Sequence, residues 1–246
     1  MSTKQAQEER SFLSGPRSRW EEFRYTIGVM RQFIRGFRTL HFAGPCITIF
    51  GSARFPEDHS YYRMARSIAH SVADMGFTIM TGGGPGIMEA ANRGARESGG
   101  KSIGCNIVLP REQHPNNYLD RFVNIDFFFV RKELLRKYSH AFIVFPGGFG
   151  TLDEFFETIT LIQTKKTAPF PVIIIGKQFH EHLMAHIELM VQEGTISEAD
   201  LKLMLFTDDL TEALEHISEY VTANPTVHLK PKKKALWLLG EKELKP

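Results

Sequence analysis

The chain has only two cysteines, Cys46 and Cys105, in 246 residues. Two thiols cannot build a disulfide framework, and they read as buried groups in a reducing compartment, so the expected location is the cytoplasm. No apolar run approaches the ~20 residues of a membrane-spanning helix. The opening MSTKQAQEER has no apolar middle of the kind a signal peptide carries. Two nucleotide-binding patterns are also missing. There is no GxxxxGK[ST], which argues against a Walker-type triphosphate loop. There is no GxGxxG, and no acidic residue ends the next strand, which disfavours a nicotinamide dehydrogenase. No repeat occurs at solenoid periods.

Net charge is also small, at +2, but unevenly spread. Residues 1–44 carry +4, residues 225–246 carry +4, and the segment between them is acidic. Basic ends without a nucleic-acid motif read as solvated termini, so neither nucleic acid nor membrane is an expected partner. Residues 1–17, with Gly15-Pro16, read as a mobile arm. Within 18–44, Trp20, Phe23, Ile27, Met30, Ile34 and Phe37 recur at three- and four-residue steps, predicting an amphipathic helix that needs a surface to cover, either the main domain or a second subunit. Residues 225–246 read as a basic tail.

Between these ends, residues 45–224 alternate short apolar runs with helical periods. Strands are expected at 47–50, 77–80, 102–108, 122–129, 141–145 and 172–175. Helices are expected near 59–75, 85–98, 131–139, 151–164, 178–193 and 208–221. The strands are apolar without alternation, as in a sheet buried on both faces. The fold class that follows is α/β, a Rossmann-like, doubly wound, mostly parallel sheet with helices on both faces.

Three glycine-bearing loops follow three of these strands: Gly51-Ser52-Ala53-Arg54, then the Gly82-Gly83-Gly84-Pro85-Gly86 run, then Pro146-Gly147-Gly148-Phe149-Gly150-Thr151. Glycine there lets backbone amides approach an anion, and the helix that follows aims its positive end at the same spot. One such loop is weak evidence; three on one sheet edge predict a phosphate-bearing ligand. The third loop runs into Glu154, expected about one turn inside its helix and pointing back to the crevice. Arg131 and Lys132 stand at the start of the helix after the FFFV run. First turns favour acids, so two adjacent cations there suggest a ligand.

PGGFGTLDE at 146–154, GGGPGIME at 82–89 and Arg131-Lys132 between them resemble the LOG (Lonely Guy) family of phosphoribohydrolases, over roughly residues 45–221. Members are often mislabelled lysine decarboxylases. The resemblance implies hydrolysis of the N-glycosidic bond of a purine nucleoside 5′-monophosphate, cytokinin-type or AMP, to free base and ribose 5-phosphate. It implies a catalytic pair, Arg131 and Glu154, and a phosphate loop, Gly148, Phe149, Gly150 and Thr151. It makes Lys132, Glu112 and Thr160 further substrate contacts, beside Gly83, Gly84, Gly51 and Ser52 from the other loops. The long N-terminal helix and the FFFVRK context resemble the larger bacterial forms. Plant-type members usually read MHxRK and GGYGT where this chain has FVRK and GGFGT, so the preferred nucleobase does not carry over.

No cofactor is expected. A pyridoxal decarboxylase needs a Schiff-base lysine, and neither Lys101 nor Lys132 suits. His180, His182 and His186 lack a third ligand of suitable spacing and read as surface, so no metal is expected. The competing reading is a non-catalytic nucleotide sensor or carrier on the same fold. Apolar stripes on the 18–40 helix and on the helix carrying Phe155, Phe156, Ile159 and Ile162 point to an even-numbered homo-oligomer.

Overall fold

The computed structural model describes residues 15–108, 114–225 and 227. The chain runs α1 (Arg19–Leu40), β1 (Cys46–Phe50), α2 (Ser60–Asp74), β2 (Thr78–Thr81), α3 (Ile87–Glu97), β3 (Ser102–Ile107), β4 (Arg121–Ile125), α4 (Phe128–Tyr138) and β5 (Ser139–Val144). It continues through α5 (Phe149–Gln163), β6 (Val172–Ile174), α6 (Glu181–Gln192), a 3-10 turn (Glu198–Leu203), β7 (Leu205–Phe206) and α7 (Leu210–Ala223). Seven strands form one sheet in the order β4-β3-β2-β1-β5-β6-β7, every neighbouring pair parallel. The chain moves outward from β1 to β4, then returns to place β5 on the other side of β1. That reversal opens a crevice at the carboxyl ends of β1 and β5, where open α/β sheets hold their ligands.

Strands β1, β2, β3 and β6 are buried at every residue, which explains their unbroken apolar runs. Leu134, Phe142 and Phe155 pack in the cluster that also takes in Tyr25, Val29 and Phe33 of α1. Ile47, Ile68, Ala91 and Ile217 form the core of the opposite face, among α2, α3 and α7. Both cysteines are buried free thiols. No helix among the described residues is long and apolar enough to cross a membrane.

Three expectations change. The strand expected over 122–129 ends at Ile125, and Phe128 already begins α4. A continuous aromatic run cannot mark that switch by periodicity; the Arg131 amide donating to the Phe127 carbonyl does. β7, two residues long, is too short to leave a pattern.

The largest change concerns α1. Its Ser18–Glu21 capping box fixes the expected start. But the face against the domain is Tyr25, Val29, Gln32, Phe33, Gly36 and Leu40. Leu134 of α4 fills the space that a Cβ at Gly36 would take, so the two helices approach closely. Gln32 donates to Asp126, and Arg121 donates to the Thr39 carbonyl, 3.1 Å away. The stripe of larger residues points outward, with Trp20 65% and Phe23 54% exposed and Met30, Ile34 and Phe37 beyond them.

Candidate functional site

The three glycine loops are one hydrogen-bonded unit. The Ser52 amide donates to the Pro146 carbonyl (2.9 Å), and the Ile87 amide donates to the Ser52 carbonyl (3.0 Å). Gly86 has φ 67°, and a side chain there would collide with the Ser52 carbonyl and Ala53. The loops after β1, β2 and β5 therefore meet at the sheet reversal, as expected. Ile87 packs on Gly51, and Ser52 faces the first loop's turn through its hydroxyl, which accepts from the Arg54 amide at 3.1 Å.

At the third loop, α5 begins on an open end. Gly148 is the N-cap, no side chain caps the helix, and its first turn contains no acid. The Gly148 carbonyl accepts from the amides of Thr151 (3.0 Å) and Leu152 (3.1 Å). The amides of Phe149 and Gly150 precede the first intrahelical bond and have no capping side chain. Gly148, Phe149 and Gly150 are exposed, the Phe149 ring 93% so; Thr151 is buried and folds over Gly147. An uncapped positive helix end is a ready place for a phosphate.

Glu154 lies a turn and a half inside this helix and is 4% exposed. Arg131, one turn into α4, directs Nη1 at Glu154 Oε1 across 3.9 Å and donates through Nε to the Cys105 carbonyl at 3.0 Å. At 3.9 Å the two groups face each other without a direct hydrogen bond, so each keeps capacity for a third group. Position 82 matters here: a Cβ would lie 2.7 Å from Arg131 Nη2 and 2.8 Å from Met88 Sδ. Only glycine leaves the guanidinium its place.

Burial pushes the Glu154 carboxyl up to about 7; Arg131 and then Lys132 oppose this, while Glu157 and Asp153 add to it. Desolvation thus outweighs the ion pair, which follows from the long 3.9 Å separation. A carboxyl with its midpoint near neutrality can exchange a proton at physiological pH. Burial also holds the Cys105 thiol up at about 12, so it stays neutral beneath Arg131.

Lys132 does not reach the open helix end as a free cation. Its Nζ pairs with Asp153 Oδ1 (3.0 Å) and Glu157 Oε2 (2.9 Å), bridging α4 to α5. Burial alone would lower its pKa, but the hydrogen bonds to Glu157 and Asp153 win and hold it above the usual value. Thr160 is exposed and donates to the Phe156 carbonyl at 2.7 Å, a third of a turn away from the Glu154 face. Glu112 lies outside the described residues.

In the second loop the Gly83 amide already donates to Thr81 Oγ1 (2.9 Å), and Gly84 is buried. This loop serves as a wall behind Arg131. Its supports, Thr81, Asn92 and Asn116, were missed in the sequence; the one available signal was a polar Asn92 inside the small apolar face of α3, between Ala91 and Gly94. His182 and His186 are exposed, but His180, expected at the surface, is 2% exposed at the start of α6. Among the described residues no three of His, Cys, Asp and Glu come together as a metal site.

The chain is similar to several known proteins. A protein family described as "Possible lysine decarboxylase" matches residues 88–217. A Mycobacterium tuberculosis protein named cytokinin riboside 5′-monophosphate phosphoribohydrolase is 28% identical over 168 residues, covering 66% of this chain and 88% of the relative. A rice protein, named a probable enzyme of the same activity, is 29% identical over 165 residues, covering 66% of this chain and 67% of its own. Among solved structures, the molybdenum cofactor carrier protein of Chlamydomonas reinhardtii aligns with TM-score 0.52 and 23% identity, covering 73% of this chain and 99% of that one. The molybdenum cofactor binding protein of Rippkaea orientalis aligns with TM-score 0.54 at 19% identity, over 72% and 98%. At such identities these structures share the fold.

Proposed function

This chain belongs to the LOG family, the group described as possible lysine decarboxylases, and from that membership we propose that it hydrolyses the N-glycosidic bond of a purine nucleoside 5′-monophosphate. The products are free base and ribose 5-phosphate. The observation that carries this reading is the buried Glu154 facing Arg131 inside the same helix whose open N-terminus begins at Gly148. A pure binding site has no need of a carboxylate in that position.

In this reading the 5′-phosphate docks on the amides of Phe149 and Gly150, remote from the bond that breaks, and anchors the sugar. Cleavage at the anomeric carbon passes through an oxocarbenium-like state. Ionised Glu154 stabilises that positive charge and accepts a proton from the incoming water, whose oxygen bonds to the anomeric carbon as the bond to the base breaks, and the departing base takes up a proton from solvent water. Arg131 orients the ribose phosphate and favours the ionised form of Glu154. Lys132 keeps α4 and α5 in register through Asp153 and Glu157. Its ammonium is held by two carboxylates, the opposite of the free amine that a decarboxylase Schiff base requires.

The experiment that tests the reaction is a panel of nucleoside monophosphates with adenine and prenylated adenine bases, scored for both products. Release of base and ribose 5-phosphate from one or more supports it; no release from any of them refutes it.

The same reading includes an even-numbered homo-oligomer. The outward stripe of α1, with Phe156 of α5 and Phe128 and Phe129 of α4, leaves large apolar side chains uncovered on one side of the sheet. Light scattering at micromolar concentration is expected to give a dimer or a higher even number. Phe23→Glu with Ile34→Glu is expected to lower that mass. A monomeric parent protein refutes the assembly.

A further inference from the structure

A buried polar network stands behind the second glycine loop, outside the catalytic pair. Thr81 Oγ1 donates to Asn92 Oδ1 at 2.7 Å and accepts from the Gly83 amide at 2.9 Å. Asn92 Nδ2 donates to Ser102 Oγ at 2.8 Å. Asn116 Nδ2 donates to the Gly84 carbonyl (3.0 Å) and to Asn92 Oδ1 (2.9 Å), while the Asn116 amide donates to the Gly83 carbonyl (2.9 Å). The donor to Gly84 must be the Asn116 amino group, and the same group faces Asn92, so Asn92 turns its oxygen to it.

Thr81, Asn92 and Ser102 are all buried, with Thr81 and Asn92 showing no exposed surface. Buried polar groups on a helix otherwise packed with Ile87, Ala90, Ala91 and Ala95 lower stability unless every partner is present. Here both ends of the Asn92 amide are bonded. A fully satisfied buried network rigidifies what it touches. What it touches is the Thr81–Gly84 turn, from both its threonine and its two carbonyls.

The turn in turn bounds Arg131. The space for a Cβ at Gly82 is occupied by Arg131 Nη2 and Met88 Sδ. Arg131 is held on its other side by the Cys105 carbonyl, at 3.0 Å from Nε. Between these supports Nη1 faces Glu154. We infer that Asn92 and Thr81 are positioning residues for the proposed reaction, fixing the Gly82–Gly84 turn so that Arg131 lies opposite Glu154.

The inference rests on the proposed reaction for its consequence but on geometry for its content, and the test separates the two. Thr81→Val keeps the branched shape and removes the hydroxyl; Thr81→Ser keeps the hydroxyl. Asn92→Leu keeps the volume and removes all three hydrogen bonds. The first readout is the titration of Glu154 in the ligand-free protein, followed by carboxyl NMR. The charged and titratable groups around it are Arg131 and Lys132 of α4, Asp153 and Glu157 of α5, and the Cys105 thiol of β3. Arg131 is the foremost group lowering this midpoint, so its displacement moves the midpoint upward. The second readout is the kcat and KM split on the nucleotide the parent protein cleaves.

Thr81→Val and Asn92→Leu are expected to raise the Glu154 midpoint and to lower kcat about tenfold or more with KM changed less than about threefold, since misplacement by ~1 Å can cost 10²-fold. Thr81→Ser is expected to match the parent on both. An unmoved Glu154 midpoint in Thr81→Val overturns the inference, even if the protein melts earlier. Equal impairment in Thr81→Ser overturns it too, because the hydroxyl is then not the agent. If Asn92→Leu does not fold, the threonine pair decides alone. If the parent protein cleaves no nucleotide, the proposed reaction fails while the titration still decides the positioning role.

Discussion

Glu154→Gln is expected to lower kcat by at least ~10²-fold, the scale of a positioned acid–base group, while AMP binding survives. The substitution keeps the shape of the side chain and removes its charge. In the proposed reading ground-state binding rests on the open end of α5 at Phe149 and Gly150, which the change does not touch. Binding is even expected to tighten slightly, because a carboxylate that repels the phosphate is gone. Calorimetry with AMP and a base-release assay together read both halves.

The pH dependence adds a second arm. With the Glu154 midpoint near 7, kcat/KM of the parent should climb about tenfold per pH unit below neutrality and level off above it. Glu154→Gln should lose that limb. Stability runs the other way. The folded-state midpoint lies above the ordinary value of 4.5. The protonated form therefore favours folding, and that contribution is complete below ~4.5 and lost as pH rises through ~7. At pH 8 Glu154→Gln is thus expected to melt higher than the parent, and the advantage should shrink as the pH falls toward 4.5.

Arg131→Ala should also cut kcat, but with weaker AMP binding, since a cation attracting the nucleotide is lost. The double variant should be far from additive if the two residues act as a unit. Full activity in folded Glu154→Gln refutes the role given to Glu154, whereas a parent protein that binds AMP and releases no base puts the carrier reading ahead. What separates the two readings is whether a product forms at all; the Glu154 charge tests only how it forms.

Adenosine is expected to be at least about a hundredfold poorer than AMP in kcat/KM, because several charge-assisted hydrogen bonds to the phosphate vanish. The structural ground is an α5 N-terminus with neither a capping side chain nor an acid in its first turn. A helix start left so bare is stabilised by the anion it receives. In the proposed reading remote phosphate contacts also hold the anomeric carbon against Glu154, so the loss should fall on kcat as well as KM. Comparable rates on both compounds would show that the loop at 147–151 does other work.

Much of this site was legible in the residues themselves. Glycine clusters after apolar runs mark strand-to-helix turns, and the topology brings three of them to one edge. Glu154 could be placed because its helix begins at the third of those turns, and Arg131 because it stands with Lys132 after the FFFV run. What stayed hidden depended on partners distant in sequence. Lys132 reads as a free cation until Asp153 and Glu157 are seen to grip it. Asn92 reads as a weak point in a helix until Thr81, Ser102 and Asn116 close around it. The face of α1 that meets the domain was not legible, because periodicity weighs side-chain bulk and the bulky stripe could cover either the domain or a second subunit. Close packing against Leu134 instead selected Gly36, and Asp126 selected Gln32.

The backbone bonds that tie Ser52 to Pro146 and Ile87 to Ser52 join segments separated by up to 94 positions along the chain. Such contacts form late in folding, since the entropy of closing long loops must be met before they contribute. No fragment ending before β5 contains the crevice, and a chain emerging from the ribosome has none until residues near 151 are free to fold. The site is thus a property of a sheet in which β5 has joined β1. During refolding, recovery of nucleotide binding should lag the recovery of helical signal and coincide with the insertion of β5 beside β1.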